Sequence, residues 1–323
     1  MAPGLRDSAA VNAAVLHEHG KPPRYGDFEE PASHEGAVVV KVGAAALHHL
    51  DLLKASGSFY MGPPPLPSVV GTDGVGRLGD GRRVYFDETV APFGSMGEKA
   101  LAKDGALFDV DESIDDVTAA ALGNTGLGAW LAIDWRSDLQ RGDTVLVLGA
   151  AGAVGTVAVQ AAKLLGAGRV IAAGRAGARL ERQRERGADA VVALDEEEDL
   201  AEAYRKAADG ELDVVIDTLW GPPAEAAIKA AARHCRHVQV GQLAGLDITL
   251  PAPAVRSVSL DLRGFSVAHP PPEVRRDGYL TLTRHVANGD IQIDVEALPL
   301  SQVEVAWNRQ QEGHATGKLV LVP

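Results

Sequence analysis

The chain has 323 residues, is 46% hydrophobic and 23% charged, and carries a formal net charge of −13, a composition that supports two sizeable cores and excludes a disordered chain. The acidic balance leaves no basic surplus to neutralise phosphates, so sequence-independent nucleic-acid binding is excluded, and no apolar run reaches the length that spans a bilayer. The one cysteine, Cys235, permits no internal disulfide and no cysteine-held structural zinc, and the N-terminal stretch lacks the apolar core of a secretory signal, so a reducing, cytoplasmic setting is expected.

In chain order, residues 1–10 read as a disordered leader. A strand is expected over 12–16, a glycine- and proline-rich turn over 17–25 and a strand over 37–45. The stretch 46–60 reads as a short helix and loop and is the first that invites chemistry. A rigid proline run at 63–67, a glycine-broken strand over 69–78 and strands over 81–86, 99–102 and 106–110 complete a strand-rich first unit, a small irregular barrel. Helices are expected over 115–121 and 127–135, broken at 123–126, with Trp130 and Trp135 in the core. Strands at 144–148, 169–173, 190–194, 212–218, 236–241 and 259–267 then alternate with helices at 154–165, 179–186, up to about 208, and 222–233. This alternation predicts a doubly wound parallel sheet covered on both faces. The acidic run 195–199 reads as solvated and Cys235 as buried. A helix around 278–288 precedes a terminal strand at 318–322 that is expected to return to the first unit.

The strand at 144–148 is followed at once by Gly149, Gly152 and Gly155, then by a helix and a second strand, the context that a dinucleotide fingerprint requires. Ala150, Gly152 and Gly155 align as AxGxxG with the usual GxGxxG. Glycines let the backbone approach a pyrophosphate, and a helix starting at Ala153 and Val154 offers unpaired amides and a partial positive charge. Sites that prefer NAD place an acid at the end of the second strand, whereas this strand ends Gly174-Arg175, with Arg179 close behind. Both arginines suit a 2′-phosphate, which predicts NADPH over NADH. Thr218 after the fourth strand and Gly241, Gln242 and Leu243 after the fifth are placed to flank the nicotinamide end, because ligands gather at the carboxyl ends of such strands.

A strand-rich unit, a nucleotide unit with GAAGAVG and a tail HATGKLVLVP together resemble the medium-chain dehydrogenase/reductase superfamily, in its zinc-free quinone-oxidoreductase-like branch, over nearly the whole chain. The resemblance implies an α/β architecture with a GroES-like catalytic domain (1–122 and 290–323), a Rossmann NADPH-binding domain (123–289) and a cleft between them. It also implies a homodimer paired through an edge strand such as 259–267, and a cofactor contact at Asn124. Where zinc alcohol dehydrogenases of the superfamily carry their ligands, this chain has His48, Thr72 and Asn124, a set that suits zinc poorly, so no metal is expected. Without a metal to polarise a carbonyl, hydride is expected to go to a quinone or an α,β-unsaturated carbonyl, whose enolate then needs hydrogen-bond donors and a proton. Tyr60, in GSFYMGPPPLP, resembles the donor tyrosine of related enoyl reductases. His48-His49-Leu50-Asp51 stands where those enzymes have NPxD, and His48 is a second candidate donor; a packing role for either residue stays open. The expected function is therefore an NADPH-dependent, zinc-independent oxidoreductase acting on a small molecule. A secondary-metabolic cyclase or lyase without net redox and a non-catalytic NADPH-binding protein are the alternatives.

Overall fold

The computed structural model describes residues 10–323; the leader expected over 1–10 lies outside them, save Ala10, which opens the first strand. Two units separate along the chain: the first runs to Asn124 and is completed by Ile293–Pro323, and the second is Thr125–Gln292.

The first unit begins with β1 (Ala10–Leu16) and β2 (Arg24–Glu29), an antiparallel hairpin in register from Ala10↔Glu29 to Val15↔Arg24. They are followed by β3 (Ala37–Ala46) and the short helix α1 (His49–Ala55). The strand expected over 69–78 is two strands in two sheets: β4 (Ser68–Val69) pairs with β1, and β5 (Gly74–Arg77) pairs with β3. Gly71 is the reason. Its φ of +108° is open to glycine, and a Cβ there would fall 2.3 Å from Ser95 Oγ, so the chain turns through a space that admits no side chain. Next come β6 (Arg83–Phe86), β7 (Lys99–Lys103), β8 (Leu107–Asp109) and α2 (Asp116–Ala121), whose first turn is capped by Asp115 accepting from Thr118 N at 2.8 Å.

The second unit opens, where a helix over 127–135 is expected, with α3 (Gly128–Leu131), which runs on without a break into a π-helical turn over Ala132–Arg136. Trp130 is buried and stacks on His285, whereas Trp135 is 43% exposed, so only the first of the two tryptophans lies in the core. The βα alternation then runs β9 (Thr144–Leu148), α4 (Ala153–Leu164), β10 (Arg169–Gly174), α5 (Ala178–Glu181), β11 (Ala190–Ala193), α6 (Leu200–Ala208), β12 (Val214–Asp217), α7 (Gly221–Ala230), β13 (Arg236–Gln239), α8 (Ala252–Arg256), β14 (Asp261–Gly264) and α9 (Pro272–Ala287). All six strands are parallel, in the order β11-β10-β9-β12-β13-β14. This is the doubly wound order 3-2-1-4-5-6, with the reversal between β9 and β12. The charged helix expected over 179–186 lasts only to Glu181 before turns take over, and α9 starts six residues ahead of its expected beginning, on a proline that needs no amide partner in a first turn. Cys235 is fully buried, and burial pushes its thiol up to about 12, which removes it as a nucleophile.

The chain returns to the first unit with β15 (Val295–Pro299), α10 (Val303–Glu312) and β16 (Lys318–Val322). As expected, the terminal strand rejoins this unit, antiparallel to β3 and parallel to β15. Sequence reading missed β15 and α10; the helix shows only a short apolar face, with Val303, Ala306 and Trp307 buried before Gly313 stops it at φ +72°. The larger sheet runs β15-β16-β3-β5-β6-β8, with β7 also on β3, over a core that includes Leu16, Leu47, Phe86, Met96, Trp307 and Leu319. Among the described residues no helix is long and apolar enough to cross a membrane.

Candidate functional site

In the second unit, the turn after β9 is built by backbone touching backbone. The amides of Gly149 and Ala150 both donate to Ala173 O on β10, each at 2.9 Å. Gly149 adopts φ +84°, and a Cβ on it would lie 2.2 Å from Thr218 Oγ1; a Cβ on Gly155 would lie 2.3 Å from Gly149 O. Both positions need glycine, because one lets the ends of β9 and β12 meet and the other lets α4 sit on the turn. Thr218 Oγ1 in turn donates to Leu148 O at 2.9 Å. Gly152 caps α4 in an extended conformation with no side-chain cap, so the first helical amides, at Ala153, Val154 and Gly155, have no partner within the helix. Gly152 is exposed and Ala153 and Val154 half-buried, which leaves this end open to an anion. The strand order reverses here, where ligands bind open α/β sheets.

The other expected contacts of this unit gather at the same end of the sheet. A Cβ on Gly241 would fall 2.6 Å from Thr218 O, and Leu243 N donates to that carbonyl at 3.4 Å; Gln242 and Leu243 are exposed. Gly174 closes β10 against Ala151, Arg175 is exposed after it and Arg179 is half-buried. Two carboxylates were missed. Asp195, from the run read as solvated, reaches back to accept Ala176 N at 2.7 Å; the pairing of β10 with β11 sets the residues after the two strands side by side. Asp217 accepts Leu219 N and Trp220 N at 2.8 and 2.9 Å and pairs with His237 Nε2 at 2.9 Å, the two side chains being buried, and so seats the turn after β12. An acid at the end of an otherwise apolar strand was its available signal.

The first unit holds a different arrangement. His48 is the N-cap of α1, with its amide donating to Asp51 Oδ2 at 2.8 Å. Its Nε2 lies 2.6 Å from Asp73 Oδ1, and Lys318 Nζ lies 2.8 Å from its Nδ1 and 2.7 Å from Leu47 O. An ammonium only donates, so Nδ1 accepts and Nε2 carries the proton to Asp73. The second oxygen of Asp73 accepts Tyr85 Oη at 2.9 Å and Asn124 N at 2.8 Å. Beside this cluster, Thr72 Oγ1 donates to Asp51 at 2.7 Å and accepts Lys54 Nζ at 3.0 Å, while the Lys54 ammonium faces the Phe59 ring at 5.9 Å. Asp73 is fully buried and His48 4% exposed. Burial raises the Asp73 carboxyl, but the electrostatic pull of His48 and its hydrogen bond, the Asn124 amide and Lys318 outweigh it and hold the group below the usual carboxylate range.

His48 therefore has both ring nitrogens committed inside the unit, which corrects the expectation that it donates a proton to substrate. His49 is exposed, with its Nε2 2.9 Å from Gln310 Nε2. Tyr60 stands 77% exposed with its ring against Phe59, centroids 4.5 Å apart. The donor set does not fit zinc. Thr72 is engaged with Asp51 and Lys54, Asn124 meets the cluster through its backbone amide, and a buried ammonium already lies against the His48 ring. No group of three or more His, Cys, Asp or Glu among the described residues is placed to hold a metal.

Burial pushes the Lys318 ammonium down to about 8 from 10.5, against the pull of Asp73 and Asp51. Between those values the unfolded chain binds the proton and the folded chain does not, so this group makes stability rise with pH there. His48, His49, Asp51 and Asp73 are the titratable groups that face it. Urea unfolding of wild type and Lys318→Met at matched pH should show the difference shifting in favour of wild type from about pH 8 to about 10.5; a flat difference contradicts the buried charge.

The family model described as zinc-binding dehydrogenase matches residues 153–280. The chain is 28% identical over 320 residues to an NADPH-dependent alkenal/one oxidoreductase of Arabidopsis thaliana, covering 91% of this chain and 74% of that protein. It is 27% identical over 337 residues to a phenolphthiocerol/phthiocerol polyketide synthase subunit of Mycobacterium tuberculosis, of which it spans 15%. Among solved structures, the quinone oxidoreductase of Thermus thermophilus, described also in complex with NADPH, superposes with a TM-score of 0.80 at 28% identity, over 97% of this chain and 100% of that one. With the strand order and the glycine turn, these similarities support the resemblance to the medium-chain dehydrogenase/reductase superfamily, in its quinone-oxidoreductase-like branch.

Proposed function

We propose that the chain is an NADPH-dependent, zinc-independent oxidoreductase that delivers hydride to a quinone or an α,β-unsaturated carbonyl compound. The observation that carries this reading is the open N-terminus of α4, at the reversal of strand order, with Arg175 rather than an acid closing the next strand. The names of the Arabidopsis and Thermus relatives support the cofactor and the acceptor class.

Bound NADPH supplies the hydride. Ala153, Val154 and Gly155 take the pyrophosphate on the uncapped amides of α4, Ala150 and Gly152 shape the turn beside it with their own amides spent on Ala173 and Gly149, and Gly174 leaves room for the ribose. Arg175 and Arg179 pair with the 2′-phosphate. Thr218, Gly241, Gln242 and Leu243 flank the nicotinamide end, and Asn124 is a further cofactor contact. Tyr60, the exposed phenol, delivers the proton that the reduced acceptor needs, while His48 serves inside its cluster. We also infer a homodimer paired through β14, an edge strand with Leu262 exposed; sedimentation velocity showing only monomer overturns it.

Wild type should turn over NADPH in preference to NADH. Arg175→Ala should lower the ratio of kcat/KM values about tenfold, the size of one charge-assisted contact. Asp195→Asn should raise it, because that carboxylate lies beside Arg175 and opposes a phosphate. Equal use of both cofactors by wild type ends the assignment. Tyr60→Phe should lower kcat on an enone about a hundredfold with the affinity for NADPH unchanged, and an unaltered kcat removes Tyr60 from the mechanism.

A further inference from the structure

The buried charges of the first unit converge on the end of its first segment, at Gly123 and Asn124. After α2 the backbone leaves the helical conformation at Gly123, with φ −54° and ψ −122°. A Cβ on Gly123 would lie 2.4 Å from the Tyr85 ring and 2.5 Å from Asp73 Oδ2, so the chain bends directly against these two side chains. The next residue, Asn124, gives its amide to the same carboxylate oxygen at 2.8 Å. Asp73 thus spends one oxygen on the bend and on Tyr85 and the other on His48, and the Lys318 ammonium behind His48 supplies the countercharge that lets an anion stay buried. The amide of Asn124 is held while its half-buried side chain is left to other partners.

We propose that Asp73 is a positioning residue: its carboxylate, held by His48 and Lys318, fixes the Gly123–Asn124 bend and through it the Asn124 side chain for cofactor binding. The proposal rests on the reading of Asn124 as a cofactor contact. A carboxylate suits the task because it accepts three donors at once without offering one; the isosteric amide has a single acceptor oxygen and turns two hydrogens toward groups that also donate. The effect is on ground-state binding of the cofactor, so it falls on affinity and leaves the chemical step alone.

The test uses the full chain as wild type, Asp73→Asn, Lys318→Met and Asn124→Ala. Three quantities are read: amide hydrogen exchange at Asn124 without cofactor, the Kd for NADPH by fluorescence titration, and KM and kcat. In Asp73→Asn, exchange at Asn124 should accelerate while the amides of β3 keep their protection. Kd and KM for NADPH should rise about tenfold, the size of one charge-assisted hydrogen bond, with kcat within about twofold. Lys318→Met should move the same quantities in the same direction, and it carries the test if Asp73→Asn fails to fold. A folded variant with wild-type exchange at Asn124, or with a wild-type Kd, overturns the proposal, as does a loss confined to kcat. Asn124→Ala separates the two readings. A wild-type Kd there removes Asn124 as a cofactor contact and the proposal with it, whereas a raised Kd there beside a wild-type Kd in Asp73→Asn overturns only the positioning role. If wild type binds no NADPH, the proposed function falls, and the exchange measurement still reads the bend by itself.

Discussion

The second unit depends on one steric constraint: the ends of β9 and β12 and the start of α4 must meet with no side chain between them. Gly149 and Gly155 satisfy it, since a Cβ on either would press into Thr218 or into the turn's own backbone. The constraint does chemical work by aiming the axis of α4. A helix seated on the turn directs its first amides toward the reversal of strand order, and Gly152, lacking a side chain, leaves them uncapped. The partial positive charge of a helix end acts within about the first turn, so a small displacement of the turn would cost the proposed site its hold on an anion. Asp217 secures the neighbouring wall in the same spirit, by holding two amides of the segment after β12 with one buried oxygen.

The first unit works by charge compensation. Asp73 and Lys318 are buried where an unpaired ion would cost several kcal/mol, and His48 joins them in one tautomer, so the positive and negative ends are linked by hydrogen bonds rather than left facing apolar atoms. The cationic charge arrives on β16, from the tail, and the carboxylates arrive from α1 and the segment before β5. A folded sheet is required to bring these three pieces together.

That distance along the chain also decides what could be read from the sequence. The parallel sheet was legible because each buried strand is a short apolar run and each turn carries its glycines, and the fingerprint from Gly149 to Gly155 lies within a single loop. The division of 69–78 between two sheets was not, because it depends on Ser95 and Met96 crowding Gly71. Lys318 lies 270 positions from His48, and in the sequence it is one charged residue at the start of a terminal strand. Asp195 was hidden by a plausible local reading: four neighbouring acids are exposed, and only the pairing of β10 with β11 singles out this one. His48 shows the opposite error, a residue whose chemistry invited a catalytic role until its partners were visible.

The net charge of −13 sharpens the electrostatic argument. A diffuse acidic surface disfavours a long polyanion, which needs many cationic contacts at once, but it acts weakly on a dinucleotide, because beyond about 8–10 Å exposed charges are screened at physiological salt. At the proposed site, what a dinucleotide would meet is local: the bare amides of α4 and the arginines after β10, against the carboxylate of Asp195. An acidic protein can therefore select the more highly charged of two cofactors, provided that its positive groups lie within bonding distance of the phosphates and its negative ones do not. Under the proposed assignment of Arg175 to the 2′-phosphate, the position of Asp195, one strand away and tied to the backbone at Ala176, makes it the residue on which that balance would turn.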